Sequence, residues 1–344
     1  MTVKTGRKTW HIAAPFMHAS NDCWLHSFVR SPNLAFRVIP ATYDHDRSRR
    51  TTGGQQWLDY LRHSVRLFVS LWRHDHSGGH AGIITCFPQL AVTAGLLKRM
   101  TGCDCGLVAW LFNLGEVYQG TKGKLARFAL RRVDCFVVHS RHEIKAYSEW
   151  LDLPESRFRF VPLQRAFVER EYAENSDQPF IVALGSAHRD YRTLVEAVRL
   201  TGHRTVIVCG PHAVAGLDLP ANVNVLSNLS LADCHKLLQE ARLSITPVDN
   251  DQTASGQVTV IDAMMYGHAP IATDCVGTRD YVVHDVNGIL VEPGSVPALT
   301  EAIHKLWNDE GLRARMGQAA MNYVRNELSD EKTARTLTAL LEQM

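Results

Sequence analysis

Along the C-terminal half of this chain, short unbroken apolar runs alternate with segments of helical spacing. The runs at 180–184, 205–209 and 243–246 have the length and β-branched content of buried strands. Between them, 192–200 and 231–241 carry apolar residues three and four apart, the second segment opening at Ser230, a good N-cap. Strands that alternate with crossover helices pair in parallel, so the half predicts an open α/β sheet. Further strands are expected at Ile271–Thr273 and Ile289–Val291, and helices at 296–307 and 311–327. The N-terminal half repeats the pattern less sharply, with strands near 10–14, 35–39, 82–85, 107–111 and 135–139 and helices at 56–73 and 123–132. The polar, aperiodic run 168–178 is the expected connection. The predicted architecture is α/β, with two Rossmann-like domains facing across a cleft. They span 1–170 and 171–325, and a C-terminal helix over 326–344 packs back toward the first domain.

One stretch of that pattern carries chemistry. From Thr253 to Thr273 a small polar loop runs into a helix, an acid and a buried strand. Ser255, Gly256 and Gln257 have side chains that let backbone N–H groups approach an anion, and a helix N-terminus adds its dipole to those amides. Asp262 follows about one and a half helical turns after Ser255, which places a carboxylate within reach of a ribose while the loop meets phosphates. Gly267 and Pro270 then close the helix before the next strand.

Composition narrows the class. At 344 residues with 45% hydrophobic and 21% charged positions, the chain suits two globular domains rather than one core or a disordered segment. No run reaches the eighteen or so apolar residues of a membrane span, and the basic N-terminus leads into no convincing signal sequence; a cytoplasmic location is the expectation. The eight cysteines are scattered, so neither a zinc site nor a disulfide framework is expected. The net charge of +2 hides an asymmetry, since residues 1–150 hold 20 Lys and Arg against 10 Asp and Glu, and residues 151–344 hold 17 against 25. The N-terminal half is the part suited to an anionic partner.

The pieces together resemble a known family. Gly185-x3-Arg189-Asp-x3-Leu194-x2-Ala197, then Ser255-Gly-Gln-x4-Asp262-Ala-Met, Gly267-x-Ala-Pro-Ile-Ala-Thr273, Asp280-Tyr281 and Asn287-Gly-Ile-Leu-Val291 are similar, in order, to the donor domain of GT-B glycosyltransferases in the large retaining family four. The resemblance implies transfer of a sugar from a nucleotide diphosphate sugar, with retention at the anomeric carbon and with neither a bound metal nor a cofactor. It implies a donor site of Gly185, Ser186, His188, Arg189, Thr253, Ser255, Gly256, Gln257 and Asp262. Within it Arg189 neutralises the departing diphosphate and Asp262 binds the ribose. A fixed guanidinium and helix-end amides serve that step on physical grounds too, because the leaving group gains negative charge as the glycosidic bond breaks.

The sequence departs from the family in places. Ala254 stands where a Glu is usual, eight residues before the ribose acid, and that acid is Asp rather than Glu. Asn113 occupies a position where many relatives have His; it can hydrogen-bond a sugar hydroxyl but shuttles no proton at neutral pH. Asn113 and Glu116 are the remaining catalytic candidates, Glu116 as a base, an acceptor ligand or a solvated helix-start carboxylate. Ser140 reads as an N-cap and His139 as packing. The helix at 56–73 sets Trp57, Leu58, Leu61, Val65, Phe68 and Trp72 on one face and Arg62, Arg66 and Arg73 on another. This suits either a helix packed on its own sheet or, with the basic residues of 122–132, an anionic membrane surface or a lipid-diphosphate acceptor. No nucleic-acid recognition motif accompanies the charge. The expected partners are therefore a nucleotide-sugar donor and a carbohydrate or lipid-linked acceptor, met in the cytosol or peripherally at the inner membrane face. The rival readings are a GT-B sugar-nucleotide epimerase and a non-catalytic nucleotide-sugar binding subunit.

Overall fold

A computed structural model describes residues 7–21, 23, 25–44, 53–75, 80–115, 117–252 and 254–344. The chain divides into two compact units, one formed by 1–161 with 330–344 and the other by 162–329.

In the N-terminal unit the elements run β1 (Lys8–Ala13), α1 (Leu25–Phe28), β2 (Leu34–Ile39), α2 (Gly53–Asp75), β3 (Ala81–Cys86) and α3 (Pro88–Thr101). Then follow β4 (Gly106–Trp110), α4 (Gly120–Leu130), β5 (Cys135–Val138), α5 (His142–Leu151) and β6 (Phe158–Phe160). The six strands form one parallel sheet in the order β2-β1-β3-β4-β5-β6. One face is covered by α2 to α5 through Tyr60, Leu67, Leu90, Ala129 and Tyr147. Gly95 of α3 permits the close approach of α4, because a Cβ there would lie 2.4 Å from the Ala129 carbonyl oxygen. The other face carries Trp10 and Ile12 against Leu25, Leu337 and Leu341.

The C-terminal unit holds β7 (Ile181–Leu184), α6 (Tyr191–Thr201), β8 (Thr205–Val208), β9 (Val223–Leu226), α7 (Leu231–Glu240), β10 (Leu243–Thr246) and α8 (Gln257–Met265). It continues with β11 (Ile271–Thr273), β12 (Ile289–Val291), α9 (Val296–Asn308) and α10 (Glu310–Glu327); α11 (Asp330–Glu342) belongs to the first unit. Its sheet is also six-stranded and parallel, in the order β12-β11-β10-β7-β8-β9. Strand order reverses between β7 and β10, and in open α/β sheets such a switch point opens a crevice at the carboxyl ends of the strands.

Three details differ from the sequence reading. The units divide at Val161, ahead of the polar run 168–178 expected as the connection. That run is tied down in the second unit, where the Gln239 side-chain carbonyl accepts from the backbone N–H groups of Glu171 and Tyr172 and Arg242 pairs with Glu174 at 2.6 Å. In α2 the buried face is Tyr60, His63, Ser64, Leu67 and Leu71, while Leu58, Val65 and Trp72 of the expected apolar face are exposed.

Candidate functional site

The loops that follow β7 and β10 flank the switch point of the second unit, and each brings one half of a polar cluster. After β7 the chain turns at Gly185 with φ +108°, a backbone state L residues avoid, and a Cβ there would lie 2.8 Å from Arg189 Nη2. Glycine therefore lets the Arg189 side chain fold back over the turn. Arg189 Nε donates to the Leu184 carbonyl at 3.1 Å, and Nη1 donates to the Ala187 carbonyl at 2.9 Å. Nη1 also reaches Ser255 Oγ at 2.9 Å, and Nη2 reaches Thr259 Oγ1 at 3.1 Å. Every hydrogen-bond partner of the guanidinium is a neutral oxygen, and burial pushes its pKa down. A buried cation whose guanidinium hydrogen-bonds no carboxylate, held at a switch point with Asp249 as its more distant counter-charge, is arranged to receive an anion.

The second half comes from the loop after β10. Gly256 caps α8 with φ +86°, and a Cβ there would lie 2.9 Å from Thr246 Cγ2. Behind it Gly277 presses on the same loop, since a Cβ there would lie 2.1 Å from the Ser255 carbonyl oxygen. These two glycines wedge Ser255 and Gly256 against the strand ends, so the first-turn amides of α8 and the Arg189 guanidinium share one place. Gln257 and Ala254 are buried beside them. Ser186 Oγ accepts from the Gly210 N–H at 2.7 Å and braces the neighbouring loop after β8. His188, with φ +54°, lies 3.7 Å from Asp249 at the rim. Thr253 lies outside the described residues.

Asp262 is more tightly held than the sequence suggested. Its residue is 5% exposed, and both carboxylate oxygens accept from Arg165, Nε at 2.7 Å and Nη2 at 2.8 Å. His235 Nε2 lies 3.6 Å away, and His235 Nδ1 meets the Tyr266 hydroxyl at 2.9 Å. The hydrogen bond to Asp262 raises the pKa of Arg165. A ribose hydroxyl reaching this carboxylate has to share it with a guanidinium.

Asn113 belongs to the N-terminal unit, at the carboxyl end of β4. Its side-chain carbonyl accepts from the Gly115 N–H at 2.7 Å and shapes the loop, while the Tyr147 hydroxyl accepts from the Leu114 N–H at 3.0 Å. Glu116 lies outside the described residues. His139 is buried with its pKa lowered to about 4 by desolvation, and its Nδ1 lies 2.7 Å from the Val161 carbonyl, as packing requires. Ser140 Oγ accepts from the His142 N–H at 3.2 Å at the start of α5.

The structure thus gathers Gly185, Arg189, Ser255 and Gly256 and sets Asp262 on the same helix. Sequence reasoning missed Thr259, Gly277 and Arg165. The first was visible as a hydroxyl one turn into the cradle helix; the other two come from distant loops with no local signal.

A cavity of about 800 Å³ lies elsewhere, in the N-terminal unit. It opens at the amino ends of β1, β3 and β4, beside Lys8, Phe68, Trp72 and Leu97, opposite the strand ends where α/β sheets bind substrate.

Residues 164–323 match the family model of glycosyl transferases group 1. Over 115 residues the chain is 30% identical to the capsular polysaccharide biosynthesis glycosyltransferase CapM of Staphylococcus aureus, covering 33% of this chain and 30% of that one. The match therefore spans under a third of that relative's length. Among solved structures it is similar to a sucrose-phosphate synthase from Thermosynechococcus elongatus, with a TM-score of 0.69 at 17% identity over 98% of both chains. It is equally similar to HepE of Anabaena in complex with UDP-glucose, with a TM-score of 0.69 at 14% identity over 98% of this chain and all of that one. The fold is α/β, two six-stranded parallel sheets with interspersed helices, matching GT-B glycosyltransferase structures.

Proposed function

We propose that this chain is a glycosyltransferase that takes a sugar from a nucleotide diphosphate sugar and gives it, with retention, to a glycan or lipid-linked glycan acceptor in polysaccharide synthesis. The observation that carries the reading is the Arg189 guanidinium, which has only neutral oxygens as hydrogen-bond partners and adjoins the N-terminus of α8. The family match over 164–323, the capsular polysaccharide relative and the UDP-glucose complex of the similar structure all support it.

In this account the bond from the anomeric carbon to the β-phosphate oxygen breaks, and the diphosphate gains charge against Arg189 and the α8 amides. The acceptor oxygen bonds to the same face of that carbon. Its proton passes to the departing diphosphate, so no side-chain base is required and Asn113 serves as a hydrogen-bonding ligand. The guanidinium does the work that a divalent cation does elsewhere, so transfer needs no metal and survives a chelator. The setting is the cytosol or the inner face of the membrane. Gly185, Ser186 and His188 line the turn, while Ser255, Gly256 and Gln257 form the cradle.

Arg189→Ala is expected to lower kcat by roughly a hundredfold or more, in line with removal of one preorganised donor to a developing charge. A chromatographic assay of transfer from labelled nucleotide sugars checks it; wild-type rates in the folded variant defeat the assignment. A second reading, a subunit that binds donor without turnover, draws on Ala254 and on the Asn113 carbonyl being occupied by Gly115. It predicts donor binding with no product from any acceptor. Release of an altered sugar nucleotide from donor alone would indicate an epimerase instead.

A further inference from the structure

We propose that the outer face of α2, with α4 beyond α3, is a docking surface for an anionic lipid bilayer. The inference stands apart from the transfer reaction. Leu58, Val65, Val69 and Trp72 follow one another at helical spacing along α2, and all four are exposed, Trp72 at 61%. None of them is needed for the core, because the opposite face of the helix supplies Tyr60, Leu67 and Leu71 to the sheet. On the neighbouring helices Met100 of α3, 73% exposed, and Leu125 and Phe128 of α4 are exposed as well. The three helices lie in one layer, joined by the 2.7 Å contact of Ser64 Oγ with Thr93 Oγ1 and by the Arg99 guanidinium 3.9 Å over the Phe128 ring.

Charge identifies the occupant. Arg62, Arg66 and Arg73 flank the α2 stripe, and Lys122 and Lys124 flank the α4 pair. Neither α3 nor α4 contains an acid, and the acids of α2 are Asp59, 3.8 Å from Arg62, and Asp75 at its C-terminal end. The whole segment 1–150 has twice as many basic as acidic residues. An apolar stripe edged with cations fits an interface of acyl chains and anionic headgroups. A protein partner of ordinary surface composition would need matching acids. Val65, Val69 and Trp72 also wall the 800 Å³ cavity, which extends the apolar surface inward. Among the described residues no helix is long and apolar enough to cross a membrane, so the helix lies in the interface plane.

Sedimentation of the full chain with phosphatidylcholine vesicles, with and without phosphatidylglycerol, tests this. Binding is expected only with phosphatidylglycerol and is expected to fall as salt rises. Val69→Ser with Trp72→Ser should weaken it at least tenfold, and Arg62→Glu with Arg66→Glu by a further factor of roughly five per charge removed. Unchanged circular dichroism and nucleotide binding in the variants show that the fold is intact. The proposal fails if wild-type protein does not sediment at low salt, if phosphatidylcholine alone serves equally, or if the variants bind as wild type. It also fails if Trp72→Ser instead abolishes a concentration-dependent dimer, which would make the face an interface between copies of the chain.

Discussion

Asp262 illustrates what burial does to a single charge. Its carboxylate sits in a space 5% open to water and is matched by Arg165 through two hydrogen bonds. Removing Arg165 leaves the Asp262 carboxylate uncompensated, but the Arg165 side chain is itself 31% exposed and water relieves part of the loss, so Arg165→Ala should destabilise the C-terminal unit by about 1–3 kcal/mol. Arg165→Met with Asp262→Leu should recover most of that loss, because no isolated charge remains. Urea unfolding of the two variants checks both statements; a loss below about 1 kcal/mol in Arg165→Ala would show that the carboxylate is solvated. The acid was legible in the sequence because it lies at fixed helical spacing from the cradle loop. Its partner was not, since Arg165 lies 97 residues away and local periodicity carries no information at that range.

At the scale of the element, the turn into α8 depends on Gly256. Its φ of +86° and the 2.9 Å approach of a Cβ to Thr246 are independent obstacles to any side chain. Gly256→Ala is therefore expected to cost about 1–3 kcal/mol of stability and to weaken nucleotide binding by displacing the first-turn amides. Ser255→Ala, which removes one hydroxyl partner of Arg189, should leave stability nearly unchanged. Thermal unfolding with and without nucleotide separates the two effects; equal behaviour of the variants would contradict the account of the turn. Sequence pattern found this helix, its glycines and the buried strands because each combines a period or an unbroken apolar run with its punctuation. It passed over the edge strands β6 and β9, where Arg159 and Asn224 interrupt the unbroken apolar run by which the equally short buried strands were found. In α2 it grouped as one apolar face residues that pack on the core, Trp57 and Phe68, with residues that face outward, Leu58, Val65 and Trp72. With apolar residues on both sides of that helix, periodicity shows that stripes exist but not which one meets the sheet.

For the whole molecule, buried histidines make the two units unequal in acid. Desolvation lowers His11, His63 and His139 of the N-terminal unit to about 4, and His268 of the C-terminal unit likewise. The ordinary value of 6.5 returns on unfolding, so the unfolded chain binds more protons between pH 6.5 and 4. Their contribution is fully present above 6.5 and is lost as pH falls toward 4, by up to about 1.4 kcal/mol per pH unit for each histidine. The N-terminal unit should therefore unfold first on acidification. Hydrogen exchange at pH 7 and pH 5 reads this out; equal loss of protection in both units would contradict it. The two-unit α/β plan was legible from the alternation of strand and helix patterns, whereas the place of 168–178 was not, because a polar aperiodic segment looks the same tied down or free.

The central claim is that Arg189 and the N-terminus of α8 hold a nucleotide diphosphate. Thermal unfolding of wild type and Arg189→Ala against UDP, GDP and ADP tests it most directly. The account predicts that one of them, at a hundred times its Kd, stabilises wild type by about 2.7 kcal/mol and the folded variant far less. Stabilisation of wild type by none of the three, or equal stabilisation of both proteins, would contradict it.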